Sequence, residues 1–404
     1  MRGQDARTPQ PMSLPAAPLS LRHLVGYFLK LGTIGFGGPA ALVGSMRQDL
    51  VDDGQHLDES TYNLALALAQ IMPGPLAAQT AIAIGYFQGG VLGATLVGLA
   101  FIVPSFLMVL ALSWLYVAFG GLPWMQGLFY GIGAVVIAII AIAAYRLARG
   151  SNKRDPLLWG ICGAMLVATV WSQAELAGLF ILSGVVVLMV RAWPGWRGGL
   201  LLSAAGIGGI ALIWGIETLL LGAKTTAGGN VLAQILLFFT KAGAFVFGSG
   251  LAIVPFLQQG VVQEFGWLND HQFLDAVAVA MITPGPVVIT VAFIGYLVAG
   301  TAGAMVAAIG IFLPVYLFTI IPAPWFRRHR DNPQLRAFAA GATAAASGAI
   351  AGAVIVLGQR TLIDLPTVAI GLTGFVLLWR FRLQEPLLVA AAGLIGLVVW
   401  PLWR

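Results

Sequence analysis

The chain has 404 residues, of which 59% are hydrophobic and 9% charged, with a formal net charge of +6. Soluble domains carry about 25% charged residues, so an ordinary water-soluble fold is excluded. The basic excess does not point to nucleic acid, because the arginines sit in short loops between apolar runs, where they orient a protein in a bilayer.

The first 20 residues hold four prolines and no apolar core of the signal-peptide kind, and read as a retained cytoplasmic tail. Beyond them, apolar runs of about 20 residues recur, each able to cross a hydrocarbon core about 30 Å thick. No ten-residue alternating pattern of a membrane barrel is present. The expected fold class is therefore an all-α polytopic membrane protein.

In chain order, the unit 21–150 opens with an interrupted apolar segment over 24–46 and a polar loop. A second interrupted segment (64–87) and continuous helices over about 91–118 and 126–146 complete it. Residues 151–230 connect, with segments at 157–171, 175–190 and 200–221. The unit 231–360 repeats the plan: interrupted segments over 232–257 and 273–297, then helices over about 299–321 and 337–357. Residues 361–404 add two closing segments.

The two units share unusual residues in one register. FLKLGTIGFGG from Phe28 lies over FTKAGAFVFGSG from Phe239, pairing Lys30 with Lys241 at an offset of 211 residues. The same offset pairs Pro73-Gly74-Pro75 with Pro284-Gly285-Pro286. After a one-residue gap, Gly85-Tyr86 meets Gly295-Tyr296, and Pro104 meets Pro314. Such agreement signals duplication.

The loop charges suggest that the copies are inverted. Between its continuous helices the first unit has the uncharged GGLPWMQ, whereas the second has Arg327, Arg328, Arg330 and Arg336. After those helices the bias flips: Arg146, Arg149, Lys153 and Arg154 follow the first unit, and only Arg360 follows the second. Short basic loops stay cytoplasmic, so the units are expected to cross in opposite senses, with Arg191 and Arg197 also inside. Inverted repeats are typical of secondary transporters. Whether the broken segments span or re-enter is left open by this parity.

Proline removes a backbone donor and pushes its predecessor out of helical geometry, so Pro-Gly-Pro is expected to stop one helix and start another. Pro75 and Pro286 suit the first turn of the new helix. Phe36-Gly37-Gly38-Pro39 makes a similar break, echoed by Phe247-Gly248-Ser249-Gly250. Each restart offers free N–H groups and about half a unit of positive charge, a ready anion site. Lys30 and Lys241 fall about ten residues into their segments, near mid-membrane. A charge there costs about 2.5–3.5 kcal/mol, which an anion between them would offset. Snorkelling or pairing with acids is the competing account of both lysines. Gln70, Gln79, Thr80, Ser249, Thr283 and Thr290 flank the breaks as candidate donors. Glycine pairs such as Gly32 and Gly35 are better explained by helix packing.

Two charged residues break the repeat. Arg47 pairs with Gln258 and is either a gate or an interfacial arginine. Asp275 pairs with Leu64 and either carries a coupling proton or is an acid in the first turns of a helix starting near Asn269. The acidic run Asp49, Asp52, Asp53, Asp58 and Glu59 is expected to be a solvated turn, and Glu175 and Glu217 interfacial. Single Cys162 excludes an intrachain disulfide and a Cys-rich metal site. His23, His56, His271 and His329 lack metal-ligand spacing, so no metal or other cofactor is expected.

At these residues the chain resembles the chromate ion transporter family in its long, two-domain form. The matching pieces are FLKLGTIGFGGPAA, LALAQIMPGP, the later Gly-Tyr, the LAFIVPSFLMVLALSWLY run, and FGSG and TPGP in the second copy. The resemblance implies chromate efflux across the inner membrane, conferring resistance, with sulfate as chemical mimic. The residues themselves point only to a small inorganic oxyanion and a lipid bilayer, with a homodimer permitted. A sulfate, molybdate or organic-anion carrier is the nearest alternative. An integral membrane lipid enzyme would need a nucleophile, a base or a metal cluster near the interface, and the scattered histidines and single cysteine argue against it.

Overall fold

The computed structural model describes residues 20–36, 38–54, 56–119, 123–172, 177–193, 230–245, 250–329, 332–381 and 383–403. The expected tail before Ser20, the segment 200–221, and Gly37, Glu175, Arg197, Glu217, Gly248, Ser249 and Arg330 lie outside them. Among the described residues every element is helical. Five helices there are long and apolar enough to cross a bilayer: Leu76–Phe119, Trp124–Asn152, Val287–Arg328, Pro333–Thr361 and Glu385–Trp403.

The chain begins with α1 (Leu21–Ile34) and α2 (Gly38–Arg47), then a π-helical turn, Gln48–Asp52. Next come α3 (Glu59–Ile71), α4 (Leu76–Phe119), α5 (Pro123–Asn152), α6 (Pro156–Ser172) and α7 (Ala177–Arg191). After the connecting region come α8 (Val231–Phe245), α9 (Val254–Leu257), a π turn at Gln258–Glu264 and α10 (Asp270–Ile282). They are followed by α11 (Thr290–Ile320), α12 (Ala323–His329), α13 (Pro333–Thr361), α14 (Leu365–Phe381) and α15 (Glu385–Trp403).

Neither α4 nor α11 is one rod. Gly89 (φ −141°) and Gly90 (φ 61°, ψ −151°) turn α4 sharply, and Ala299 (φ −145°) and Gly300 (φ 62°, ψ −153°) turn α11 in the same way. Only glycine takes the second of these conformations without strain. Across the first turn Gly85 and Gly93 pack backbone to backbone, and Gly295 and Gly303 do so across the second. Gly32 of α1 likewise abuts the Phe101 carbonyl, and Gly243 of α8 the Ile311 carbonyl. Small residues let helix backbones approach where lipid offers no hydrophobic drive to associate.

The polar turns also share geometry. Leu50 O accepts from His56 N (3.0 Å) and Leu57 N (2.9 Å). Val261 O accepts from Trp267 N (2.8 Å) and Leu268 N (3.3 Å). Asp58 caps α3 through the Thr61 amide. Asn269 caps α10 in a full capping box with Gln272, so the helix expected near Asn269 starts there.

Helix α5 defines two ends of the bundle. At one end Tyr130 stacks edge-on against Trp400 (5.1 Å) and donates to Asp364 (2.7 Å); at the other, Tyr145 meets Trp379 (5.0 Å) and Arg146 faces Glu385. The turn before α10 lies at the Tyr130 end, where Arg360 Nη1 pairs with Asp270 (2.8 Å). The turn after α2 lies at the Arg146 end, where Asp49 lines a cavity with Gln384. Tyr27 donates to Asp49 (3.0 Å). Laid end to end, α1 and α2 would separate these residues by about 30 Å, so the pair is bent back at its break.

Gly93→Val drives a branched side chain into the Gly85 carbonyl. It is expected to cost about 1–3 kcal/mol and to lower Tm in detergent. Gly26→Ala, with open space around it, is expected to leave Tm unchanged.

Candidate functional site

Both Pro-Gly-Pro stretches interrupt helices. α3 ends at Ile71 with Met72 extended, and α10 ends at Ile282 with Thr283 extended. Gly74 (φ 146°) and Gly285 (φ 99°) take conformations that side chains disfavour. Pro75 and Pro286 sit at the cap rather than inside the first turn. The Pro75 carbonyl accepts from Gln79 N (3.0 Å), and Pro286 (φ −75°, ψ 120°) caps a short 3₁₀ turn at Val287–Ile289. This one-residue shift from the sequence expectation costs nothing, because a capping position needs a carbonyl and not an amide.

The second break touches the first copy. Gly285 N–H donates to the Gly35 carbonyl (2.9 Å), joining the Pro-Gly-Pro of one half to the α1–α2 break of the other. Ser105, buried midway along the long arm of α4, places Oγ 2.7 Å from Pro284 O and 3.2 Å from Gly32 O. Its one hydrogen serves the shorter contact. A Cβ on Gly285 would overlap Ser105 Oγ, so space as well as φ demands glycine. Sequence reading missed Ser105; the one available signal was a polar residue after Pro104 where the other copy has Val315.

Lys30 and Lys241 are placed differently with respect to this contact. Lys30 is exposed and lines an open cavity of about 550 Å³ with Tyr27, Gly35, Phe36, Ser45, Asp49 and Gln384. Gly35 thus both lines the Lys30 cavity and accepts from Gly285. Lys241 is half-buried with Nζ 5.6 Å from the centre of the Phe256 ring, and is not among the residues lining that cavity.

The flanking polar groups are mostly committed to their own helices. Thr80 donates to Leu76 O (2.7 Å), Thr283 to Val279 O (2.6 Å) and Thr290 to Val287 O (2.8 Å). These hydroxyls are therefore engaged in this conformation. Short polar side chains in helices readily bond back to preceding carbonyls. Gln79 is fully buried; Nε2 donates to Pro73 O (2.6 Å) and Oε1 has no partner among the described residues. Gln70 and Phe36 are exposed, Gly38 and Pro39 open α2, and Gly250, itself buried, opens a 3₁₀ turn.

Arg47 pairs with Glu59 (3.0 Å) and Asp52 (3.6 Å) at the surface. The acidic run is exposed throughout, as expected of a solvated turn, and its carboxylates are also hydrogen-bonded or ion-paired. Asp49 accepts from Tyr27, Asp52 and Glu59 hold Arg47, Asp53 accepts from Gln48, and Asp58 caps α3. The Ser60 hydroxyl bonded to Asp58 holds that carboxyl below the usual carboxylate range. Asp275 is buried and accepts from Tyr116 (2.7 Å) at the wall of a second cavity, of about 310 Å³.

A family model described as chromate transporter matches residues 22–210 and 233–397. The chain belongs to the chromate transporter family. It is 55% identical to a chromate transport protein of Cupriavidus metallidurans over 98% of this chain and 99% of that one. A probable chromate transport protein of Synechococcus elongatus is 54% identical over 94% and 96% of the two chains. A chromate transport protein of Pseudomonas aeruginosa is 32% identical over 99% and 96%. No solved structure matches. As a chromate transporter family member with several apolar helices, the chain is an ion transporter of the multi-pass membrane class and not an enzyme.

Ser105→Ala removes the hydroxyl between the two halves. The expected loss is about 1–2 kcal/mol, read as a lower Tm in detergent, with a fall in transport larger than that of the surface control Gly26→Ala.

Proposed function

We propose that the protein exports a tetrahedral oxyanion, chromate with sulfate as its mimic, by alternating access across the inner membrane. The observation that carries this reading is the Gly285–Gly35 contact at the inner wall of the Lys30 cavity. An oxyanion entering past Lys30 would reach a backbone donor held only by a carbonyl, and would compete with that carbonyl for it. Oriented N–H groups beside glycine favour compact anions.

The two copies are read as inverted repeats of broken helical segments, which re-enter from opposite sides. Support comes from the matching turns at opposite ends of α5 and from the bend that returns α1–α2 to the Arg146 end. Irregular backbone at membrane depth survives only where protein or water covers it. The basic residues Arg146, Arg149, Lys153 and Arg154 make that end cytoplasmic, so the Lys30 cavity opens to the cytoplasm. Lys241 is the corresponding cation on the other side. The substrate path then comprises both lysines, the Phe36–Pro39 and 248–250 breaks and both Pro-Gly-Pro turns, with Arg47 bracing the cytoplasmic turn. Transport is a relative movement of the two sets of broken segments that parts Gly285 from Gly35.

A cytoplasm-negative potential drives an anion outward with about 2.3 kcal/mol per charge per 100 mV, or about 4.6 for a dianion. Chromate flux into inverted vesicles is therefore expected to rise with an imposed potential, positive inside the vesicle, and to be inhibited by sulfate. Flux indifferent to potential, or a panel in which molybdate or organic anions outcompete both, would overturn the assignment. Lys30→Ala with Lys241→Ala is expected to lower chromate flux by tenfold or more; full flux in the double variant removes the lysines from the path.

The inversion has its own test. In a Cys162→Ser background, Asp53→Cys and Gln263→Cys, in the two matching turns, are expected to react with an impermeant maleimide from opposite sides of the membrane. Labelling from the same side rules inversion out.

A further inference from the structure

The second cavity holds a carboxylate that the oxyanion path does not use. Asp275 lies two turns into α10, is 8% exposed, and receives the Tyr116 hydroxyl on Oδ2 at 2.7 Å. No ion pair to it occurs among the described residues. Its register partner in the first copy is Leu64, so this polar group belongs to one half only. An intramembrane carboxylate without a cation marks a functional site by default.

Its surroundings suit a group that gains and loses a proton. The cavity of about 310 Å³ is lined by Tyr116, Gln126, Tyr130, His271 and Thr361 as well as Asp275, and lies at the Tyr130 end of the bundle. That is the end opposite the Lys30 cavity. The other charged groups near this mouth are occupied: Asp270 by Arg360 and Gln258, and Asp364 by Tyr130 and Thr367. His271 lies on the same helix and lines the cavity, and Tyr130 faces it from α5. Helix α10 also packs against α15, whose sole acid, Glu385, is at the far end. Tyr116 itself packs edge-on against Phe129 (5.4 Å) and Phe293 (5.0 Å), which brace its ring beside the carboxylate.

Resting on the proposed export, the geometry points to Asp275 as a proton-binding residue, loaded from the Tyr130 end and exchanged for the oxyanion. The ionised carboxylate accepts the Tyr116 hydrogen; a proton arriving through the cavity forms the neutral acid, while Tyr116 keeps its own. No other bond is made or broken. Because α10 ends at the Thr283–Pro286 break, the state of Asp275 is carried along one rigid helix to Gly285 and its contact with Gly35. Protons enter from outside as the anion leaves.

The test uses full-length protein in proteoliposomes with the potential clamped by potassium and valinomycin. An internal pH dye and chromate flux are read together. Wild type is expected to move protons against chromate, with flux varying tenfold or more as the pH at the Tyr130 side is varied. Asp275→Asn, close in shape and permanently neutral, is expected to lose proton movement and flatten the pH profile while retaining chromate–chromate exchange. Tyr116→Phe keeps the carboxylate and is expected to shift the midpoint of the profile. Proton movement in Asp275→Asn at wild-type level, or an unshifted midpoint in Tyr116→Phe, overturns the assignment. So does wild-type chromate flux without protons, which leaves the export reading standing. No chromate flux in wild type at all sinks the export reading instead. If Asp275→Asn does not fold, Asp275→Glu decides: it restores a carboxylate, and wild-type folding without proton movement overturns the proposal.

Discussion

A single backbone hydrogen bond, from Gly285 N–H to Gly35 C=O, is the constraint on which the rest of the structure turns. Each break in a membrane helix strands donors and acceptors that lipid cannot satisfy, at several kcal/mol apiece. Here one half's stranded donor meets the other half's stranded acceptor, and Ser105 takes up a neighbouring carbonyl. The bond demands a φ of 99° and no Cβ at position 285, and it sets Gly32, Gly35 and Ser105 around one point.

The two halves use one frame for different chemistry. Turn hydrogen bonds, caps and glycine contacts recur at matching positions, because they set backbone shape. Lys30 and Lys241 recur, but several other polar side chains do not. Ser105 faces Val315 in register, Tyr27 faces Phe238, Arg47 faces Gln258 and Asp275 faces Leu64. As a result the Arg146 end has an acidic turn and an open lysine-lined cavity, whereas the Tyr130 end has a buried carboxylate under a phenol. A symmetric frame with asymmetric groups suits a device that must treat its two sides differently.

Particular residues show where sequence reasoning reached and where it stopped. The start of α10 at Asn269 was legible because a capping box is contained in four consecutive residues. The interruptions at Met72–Pro75 and Thr283–Pro286 were legible because proline's missing donor acts on its immediate neighbours. Thr80, Thr283 and Thr290, expected as donors beside the breaks, bond to carbonyls of their own segments. Their preference for the carbonyl one turn back is equally local, but it competes with any outside partner, and composition does not reveal which wins. The acidic run was legible as a solvated turn, but its partners Tyr27, Arg47 and Thr61 were not.

By itself the sequence determined the membrane class, the family and the places where helices stop, since these follow from apolar run length, from extended motif identity and from the sterics of proline and glycine. The tertiary structure alone decided that Gly285 reaches Gly35, that Ser105 sits between the halves, that Lys30 opens into a cavity ending on that contact, and that Tyr116 holds Asp275. Those pairings join residues far apart in the chain. Their geometry depends on where whole helices cross, which close approach at glycine sets and no local stretch of residues records.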